Sequence, residues 1–358
     1  MPLVPTAPDA GWIRAAAAGT NRPAMLPGSL ACLSRVAAFA PLLALLALSP
    51  GCLHNTVGGP PARLSLPVSA TASLPPMPSA GCRPDAPRGS AGSRTLTSGG
   101  RTRRFHLRLP EGAPRSTPAP LVLNLHGLYQ APALQELLSD LTAKAAARGS
   151  IVAYPAGLGR SWNAGSCCGR AHAEDLDDVR FLRDLVRQLG REQCIDRRRV
   201  YATGMSNGGL MSYRLACEAS DVFAAVAPVA AVEAIPACTP TRPVAILAFN
   251  GDSDFIVRYG GGFPSSLSGL PSAPETADRW DRRNACAPGP RAVVWSSKEV
   301  RCEAAAGCRA DRVLCTVAGG GHTWPGGMSV PYLGHTTADV DASETILDFF
   351  AGHALGPR

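Results

Sequence analysis

Three separated segments carry side chains that together could perform nucleophilic catalysis. Ser206 lies in Gly204-Met205-Ser206-Asn207-Gly208, Asp252 and Asp254 share one acidic loop, and His322 follows three glycines. A serine hydroxyl is a weak nucleophile near neutral pH, so it needs a histidine to accept its proton and a carboxylate to orient that histidine. The chain order of serine, acid and histidine is one of the known orders of such a triad. Spacing alone leaves Asp252 and Asp254 as alternatives for the acid.

The residues around Ser206 predict a sharp turn from a strand into a helix. Glycines two residues before and after the serine let the strand and the helix approach closely, and the turn then exposes the hydroxyl. The amide of Asn207 is expected to point at the oxygen that becomes negative. A second donor comes from the loop after an early strand, where the amide of Leu128 is the candidate. We expect His126 to support that loop and not to act as a base.

These residues need a sheet to position them, and strand and helix signals do alternate along the chain. Apolar runs predict strands at 103–109, 121–127, 151–154, 199–201, 223–232, 245–249 and 313–317. Amphipathic runs predict helices at 134–148, 175–189, 210–216, 275–283 and 343–351. The alternation predicts an α/β fold, with a mostly parallel sheet covered by helices on both faces. The site is expected at the carboxyl ends of the strands.

Composition favours a folded, globular protein. The chain has 358 residues, 46% of them hydrophobic, and a formal net charge of +8. The basic residues are scattered and not interleaved with aromatic residues, which argues against a nucleic-acid partner. No C-x2-C pair with a histidine partner suggests zinc. We therefore expect neither a metal nor a cofactor.

The N-terminal region predicts export. The apolar run Val36 to Leu48 is too short to span a bilayer but has the length of a secretory h-region. The following Ser49-Pro50-Gly51-Cys52 resembles a bacterial lipoprotein signal, which makes Cys52 a lipidation candidate, with plain secretion as the alternative. Met25 is an alternative start. The predicted organisation is a leader at 1–52, a Pro/Gly/Ala/Ser-rich linker at 53–92 and one catalytic domain at 93–358.

Ten cysteines follow Cys52, and an even number in an exported chain indicates disulfides. Short loops would be closed by Cys217 with Cys238, and by Cys286 with Cys302 or Cys308. We expect the adjacent Cys167 and Cys168 to pair with separate partners, for which Cys194 and Cys82 are candidates.

Over about residues 80–352 the sequence resembles a known group, the secreted polyhydroxybutyrate depolymerases and feruloyl esterases. The matching segments are 81–82, 98–101, 125–127, 161–169, 177–179, 204–209, 251–257, Trp280 with Asn284 and Cys286, and 320–326. The resemblance implies an α/β-hydrolase fold and a serine esterase with Ser206 as nucleophile, Asp254 as the acid and His322 as base.

The resemblance also suggests substrate contacts at Trp162, Asn163 and Trp324, with packing near the surface as the alternative for the two tryptophans. Asp178 is expected to support its helix. The family's early loop commonly reads HGCGQ, but here Leu128 and Tyr129 replace its third and fourth residues. Tyr129 is therefore a further candidate for contact with the acyl group.

The resemblance leaves the natural ester open. We expect feruloyl or acetyl esters on plant cell-wall xylan, with polyhydroxybutyrate as the alternative and a catalytically degenerate surface binding protein as a remote one. The expected partner is an ester on a polysaccharide or polyester. We expect a monomer that meets a membrane only through a lipid at Cys52.

Overall fold

A single mixed sheet of ten strands forms the centre of the fold. The computed structural model describes residues 70–87, 89–112, 116–262 and 269–356. The strands are β1 (Gly92–Ser98), β2 (Arg101–Arg108), β3 (Ala119–Leu125), β4 (Ile151–Pro155), β5 (Ile195–Met205), β6 (Ala225–Val229), β7 (Ala245–Gly251), β8 (Ala292–Ser296), β9 (Val300–Ala304) and β10 (Arg312–Val317). Their order across the sheet is β1-β2-β4-β3-β5-β6-β7-β10-β9-β8.

The six central strands, from β4 to β10 in this order, are parallel. Two antiparallel strands flank them at each edge, β2 and β1 on one side and β9 and β8 on the other. Parallel strands need long connections that cross over the sheet, and helices supply most of them here. This is the arrangement expected of an α/β hydrolase, so the predicted fold class is confirmed.

Helices pack on both faces of the sheet. They are α1 (Pro132–Ser139), α2 (Leu141–Ala146), α3 (Gly169–Ala173), α4 (Asp178–Glu192), α5 (Asn207–Glu218), α6 (Ala273–Arg283) and α7 (Ala342–Ala351). The strand β3 shows why both faces need cover: Leu121, Leu123 and Leu125 enter one hydrophobic cluster, with α4, α5 and α6. Val122, between them, enters a second cluster with α2 and α7. Alternating side chains of a buried strand therefore fill two cores.

Several elements differ from the sequence prediction. The helix expected at 134–148 is divided into α1 and α2 at Asp140, whose φ of 48° is left-handed and ends the first helix. The edge strands β1, β8 and β9 were not predicted, because their short and partly polar sequences lack the apolar runs of buried strands. No helix in the described ranges is long and apolar enough to cross a membrane.

The segment 70–87, which the sequence places in the linker, is attached to the domain. Met77 and Ser79 bond to Asp196 and to residues 193 and 195 at the start of β5. A disulfide joins Cys82 to Cys194 in the same region. Residues on the N-terminal side of the predicted boundary at residue 93 are therefore attached to the catalytic domain. The predicted leader, with Cys52, lies outside the described residues.

Disulfide pairing follows the prediction in part. Cys217 pairs with Cys238, and Cys286 with Cys308, as the short loops suggested. Cys302 instead pairs with Cys315, across the neighbouring strands β9 and β10. The expectation for Cys167 and Cys168 is wrong, because these adjacent residues pair with each other while Cys194 is occupied by Cys82.

Candidate active site

Ser206 occupies a strained turn between β5 and α5. Its φ of 57° and ψ of −125° are unfavourable for a residue with a side chain. A Cβ on Gly204 would lie 2.5 Å from the carbonyl oxygen of Leu125, and one on Gly208 would also meet the Leu125 carbonyl group. Only glycine fits at these two positions, so the serine is held between β5, which pairs with β3, and the first turn of α5, which packs closely against the end of β3.

Asp254 and His322 form a buried pair at the ends of β7 and β10. The Nδ1 of His322 lies 2.7 Å from the Oδ2 of Asp254, and both residues are 4% exposed. The other carboxylate oxygen of Asp254 accepts the amide protons of Ile256 and Val257, each at 2.8 Å. The loop amides therefore fix one oxygen of the carboxylate, and the other oxygen orients the imidazole through Nδ1. This leaves Nε2 of His322 for proton transfer.

Asp252 has a different position, which separates the two acids that spacing left open. It is exposed, and its Oδ1 accepts the amide proton of Gly319 at 2.7 Å. His335, the other histidine in the late part of the chain, lies 2.9 Å from Glu299 and is exposed. The structure thus brings Asp254 to His322 and leaves Asp252 and His335 at the surface.

The glycines before His322 allow a second close approach of backbone segments. A Cβ on Gly321 would lie 2.6 Å from the Cα of Gly334. The amide of His322 donates to the carbonyl oxygen of Leu333 at 2.7 Å, and Gly321 donates to that of His335 at 2.9 Å. The loop at 331–335 thus holds the backbone of the histidine in place.

In the turn that follows β3, every backbone amide from residue 127 to 130 donates a hydrogen bond, except that of Leu128. The amides of Gly127, Tyr129 and Gln130 donate to Gln130 Oε1, to the carbonyl of Arg160 and to that of Gly127, at 3.0, 2.7 and 3.2 Å. In the part of the chain that the structure describes, the amide N–H groups of Leu128 and of Asn207 have no hydrogen-bond partner. Two backbone donors therefore remain available in the two segments where the sequence expects them.

His126 supports this turn from below. Its Nε2 accepts the amide proton of Gly157 at 3.0 Å, and its Nδ1 lies 2.8 Å from the carbonyl oxygen of Gly127. Burial lowers the pKa of His126 to about 4, because the charged imidazolium is costly in an apolar interior. His126 is thus a neutral ring with both nitrogens bonded, as its predicted supporting role requires.

The three side chains expected at the substrate, Trp162, Asn163 and Trp324, are buried in the structure. Trp162 and Trp324 are 0% and 1% exposed, and their indole N–H groups donate to the His126 carbonyl and the Ser343 hydroxyl. Asn163 is 3% exposed, and its side chain donates to Asp175 and to the carbonyl of residue 176. The polar groups of these side chains are thus used in internal hydrogen bonds.

Three aromatic side chains beside the site residues are exposed instead. Tyr129, next to Leu128, is 66% exposed, and Phe255, next to Asp254, is 52% exposed. Tyr332, next to the Leu333 that binds the backbone of His322, is 81% exposed. The sequence indicated only Tyr129. Phe255 could have been found from the sequence, because it is a large apolar residue that directly follows Asp254 in the acidic loop.

Sequence reasoning also missed a buried ion pair that joins β2 to the start of α4. Arg103 donates to Asp178 at 2.7 Å, and the two are 3% and 0% exposed. Asp178 also accepts the amide proton of Asn163 at 2.9 Å. Burial raises the pKa of Asp178 and lowers that of Arg103, while their mutual attraction opposes both shifts. Arg103 shares its strand face with Phe105 and Leu107, and that alternation could have revealed its inward direction.

No group of three side chains suited to holding a metal ion occurs in the described ranges. Acyl transfer to water by a serine, an imidazole and a carboxylate requires no metal.

Comparison with known proteins places these residues among esterases. A model of the prolyl oligopeptidase family matches residues 141–235, which include Ser206. The protein named "Feruloyl esterase B" of Piromyces equi is 36% identical over 236 residues, which are 62% of this chain but 42% of that protein. The protein named "Putative esterase NocK" of Nocardia uniformis subsp. tsuyamanensis is 33% identical over 289 residues, 73% of this chain and 82% of that protein.

A further relative is a bifunctional acetylxylan esterase/xylanase of Neocallimastix patriciarum, which is 30% identical over 161 residues. That match covers 45% of this chain and 22% of the fungal protein. The chain thus spans less than half the length of two of these relatives, whereas it spans most of the Nocardia protein.

Proposed function

The chain belongs to the serine esterases of the α/β-hydrolase fold, and we propose that it hydrolyses feruloyl or acetyl esters on plant cell-wall xylan. The observation that carries the proposal is the buried pair of Asp254 and His322, 2.7 Å apart, in a fold whose nucleophile turn presents Ser206. The names of two relatives support the ester class, since one is a feruloyl esterase and one an acetylxylan esterase.

In the proposed mechanism, the hydroxyl oxygen of Ser206 attacks the carbonyl carbon of the ester. His322 takes the hydroxyl proton at Nε2 while Asp254 holds the proton on Nδ1, which stabilises the imidazolium that forms. His322 then gives the proton to the alcohol oxygen as the bond between acyl group and alcohol breaks. This leaves the acyl group bonded to Ser206.

The oxyanion of the tetrahedral intermediate would accept hydrogen bonds from the amides of Leu128 and Asn207. Donors that are fixed in advance stabilise the charge as it develops, and each contributes about 3–4 kcal/mol. In the second half of the reaction His322 deprotonates a water molecule, which attacks the acyl-enzyme and releases the acid. Ser206 recovers its proton from His322.

The exposed aromatic side chains support an apolar acyl group. Tyr129, Phe255 and Tyr332 lie on segments that hold Leu128, Asp254 and His322. Aromatic rings stack on one another with a gain of about 0.5–1.5 kcal/mol. We infer that Tyr129 contacts a feruloyl ring, in which case Tyr129→Ala lowers the ratio of feruloyl to acetyl ester turnover about three- to tenfold while Tyr129→Phe retains it.

The decisive experiment compares the purified chain with its Ser206→Ala variant on methyl ferulate, acetylated xylan and hydroxybutyrate oligomers. We expect release of ferulate or acetate by the chain and none by the variant. An initial burst of product with an activated ester would report the acyl-enzyme. Full activity of Ser206→Ala would refute the mechanism, and turnover of the oligomers alone would refute the xylan substrate.

We also propose that the enzyme acts outside the cytoplasm, carries a lipid at Cys52 and is a monomer. Disulfides persist in oxidising compartments, and the described residues contain five of them. Labelling of the chain with a radioactive fatty acid in a bacterial host would show the lipid, and Cys52→Ser is expected to abolish the label. A label that survives in Cys52→Ser would refute this site.

A further inference from the structure

A groove of about 1010 Å³ opens at the amino-terminal ends of the central strands, at the end of the sheet opposite to Ser206. Four arginines line it, namely Arg197, Arg198, Arg242 and Arg309. They precede or begin the strands β5, β7 and β10, whereas the site residues follow the carboxyl ends of the same strands. At about 3.3 Å per strand residue, the nine residues from Arg197 to Ser206 separate the groove from the nucleophile by about 30 Å.

The positive charge of this groove is largely uncompensated. Arg197 and Arg309 are exposed, and neither has a side-chain partner among the described residues. The Nε of Arg242 donates only a long bond of 3.4 Å, to the carbonyl oxygen of Pro243. The Nη1 of Arg198 donates to the carbonyl of Pro75 at 2.8 Å, while its Nε is buried without a partner.

Asp221 is the one carboxylate among the described residues that line the groove, and Arg183 already pairs with it at 2.6 Å. Burial lowers the pKa of Arg242, with Asp221 as the only charge that opposes the shift. Half-buried guanidinium groups without acidic partners are costly for the protein alone. An anionic ligand would remove that cost, and a carboxylate fits the forked guanidinium with two parallel hydrogen bonds.

The shape and lining of the groove distinguish an extended polyanion from other anionic partners. A second hollow of about 380 Å³ shares Arg197 and Asp221 with the groove and adds Arg191, so the basic surface continues beyond one binding pocket. No Phe, Tyr or Trp occurs among the described lining residues, so the groove has no ring on which nucleobases could stack. Met77 is its only large exposed apolar side chain in the described ranges, which disfavours insertion into a bilayer.

We propose that this groove binds the uronate carboxylates of an acidic polysaccharide, and so holds a polymer at a distance from the catalytic residues. Charge recognition accounts for a sugar-binding surface without aromatic rings. Binding here requires no ester and no turnover, so it stands independently of the proposed esterase activity. A chain bound in the groove would keep the enzyme on a carboxylate-bearing polymer between catalytic events.

The test measures the dissociation constant of the full chain for glucuronoxylan in a Ser206→Ala background, where no hydrolysis can occur. We expect binding that weakens steeply as the salt concentration rises from about 0.05 to 0.5 M. Glucuronoxylan whose carboxyl groups have been reduced to alcohols is expected to bind at least about tenfold more weakly, since charge-assisted hydrogen bonds are lost.

Two double variants test the residues. Arg197→Gln with Arg309→Gln removes two exposed cations whose side chains have no partner among the described residues, and it is expected to weaken binding at least about tenfold. Arg104→Gln with Lys298→Gln removes the same charge from exposed positions outside the groove and is expected to leave binding unchanged. Arg242→Gln extends the test to the half-buried position, with the melting temperature as a control for folding.

Three results would overturn the proposal. Equal affinity for the native and the carboxyl-reduced polymer would show that carboxylates are not recognised. Equal loss in both double variants would assign the effect to net charge. Tighter binding to phosphatidylglycerol vesicles than to glucuronoxylan, lost in the groove variant, would assign the surface to a membrane. A failure of ester hydrolysis would change none of these readings.

Discussion

The carboxamide of Asn207 is paired with the peptide backbone of Trp162. Its Oδ1 accepts the amide proton of Trp162 at 2.7 Å, and its Nδ2 donates to the Trp162 carbonyl at 3.0 Å. The indole of Trp162 in turn donates to the carbonyl of His126 at 2.9 Å, directly before the turn that contains Leu128. The two proposed oxyanion donors are therefore held in register by one buried tryptophan.

This relationship predicts a catalytic defect when the Asn207 side chain is removed, although its backbone amide remains. Asn207→Ala leaves the buried N–H of Trp162 unpaired, at about 1–3 kcal/mol, while its C=O keeps the hydrogen bond from the Cys168 amide at 3.1 Å. We expect kcat for an activated ester to fall about 10- to 100-fold, with a lower melting temperature. Asn207→Asp keeps the acceptor but sets a second carboxylate oxygen against the Trp162 carbonyl oxygen, so we expect it to be at least as damaging as Asn207→Ala. A loss of stability with unchanged kcat would contradict the coupling to catalysis.

The two acids of one loop provide a matched pair of variants. Asp254→Asn keeps the size of the side chain but removes the charge that orients His322, and a triad altered in this way loses about 10⁴-fold in kcat. Asp252→Asn changes an exposed residue that caps Gly319, and we expect less than about a threefold change. Steady-state kinetics of both variants show which of the two acids orients His322. A larger loss in Asp252→Asn would reverse the assignment.

The sequence was sufficient where a local rule decides the structure. Gly204, Ser206 and Gly208 predicted a strand-to-helix turn because the crowding at the Leu125 carbonyl is a property of such turns. The apolar run of β3 predicted a buried strand because no edge strand needs two apolar faces. The order of the strands predicted a serine, then an acidic loop, then a histidine, but spacing left Asp252 and Asp254 open and only the resemblance to the esterases favoured Asp254.

Long-range packing decided what the sequence could not. Trp162 was expected at a substrate because of its motif, but contacts with His126 and Phe181 bury it. Neither partner is near it in the sequence. Cys167 and Cys168 were assigned the separate partners Cys194 and Cys82, and only the three-dimensional position of Cys82 beside Cys194 shows that these two candidates pair with each other.

His126 predicts a dependence of stability on pH. Its pKa is about 4 in the folded protein and 6.5 when exposed, so between these values the unfolded chain binds a proton that the folded one does not. Stability therefore decreases as pH falls from 6.5 to 4, by about 3 kcal/mol from this residue.

Urea unfolding of the chain and of His126→Gln at pH 7 and pH 4.5 measures this contribution. Because glutamine does not titrate, the variant should lose less stability on acidification than the native chain. The comparison cancels the effects of the carboxylates, which both proteins share. An equal decrease in both proteins would mean that His126 is not held in its neutral form.

The buried pair of Arg103 and Asp178 predicts a strong and non-additive effect on stability. Asp178→Asn leaves the Arg103 guanidinium buried without its charge partner, which costs about 3–5 kcal/mol. The neighbouring Asp177 is exposed and caps α4 by accepting the amide proton of Arg180 at 2.8 Å. Asparagine caps helices equally well, so Asp177→Asn should have almost no effect.

A double-mutant cycle separates the pair from its surroundings. Arg103→Met leaves Asp178 as an uncompensated buried carboxylate. The double variant, Arg103→Met with Asp178→Asn, removes both charges of the pair. The double variant should therefore be more stable than the sum of the single losses predicts, by more than about 1 kcal/mol. Additive losses would show that the two charges do not stabilise each other. Asp178 also holds the amide of Asn163, next to Trp162, so the cycle repeated on kcat would report how firmly this support positions Asn207.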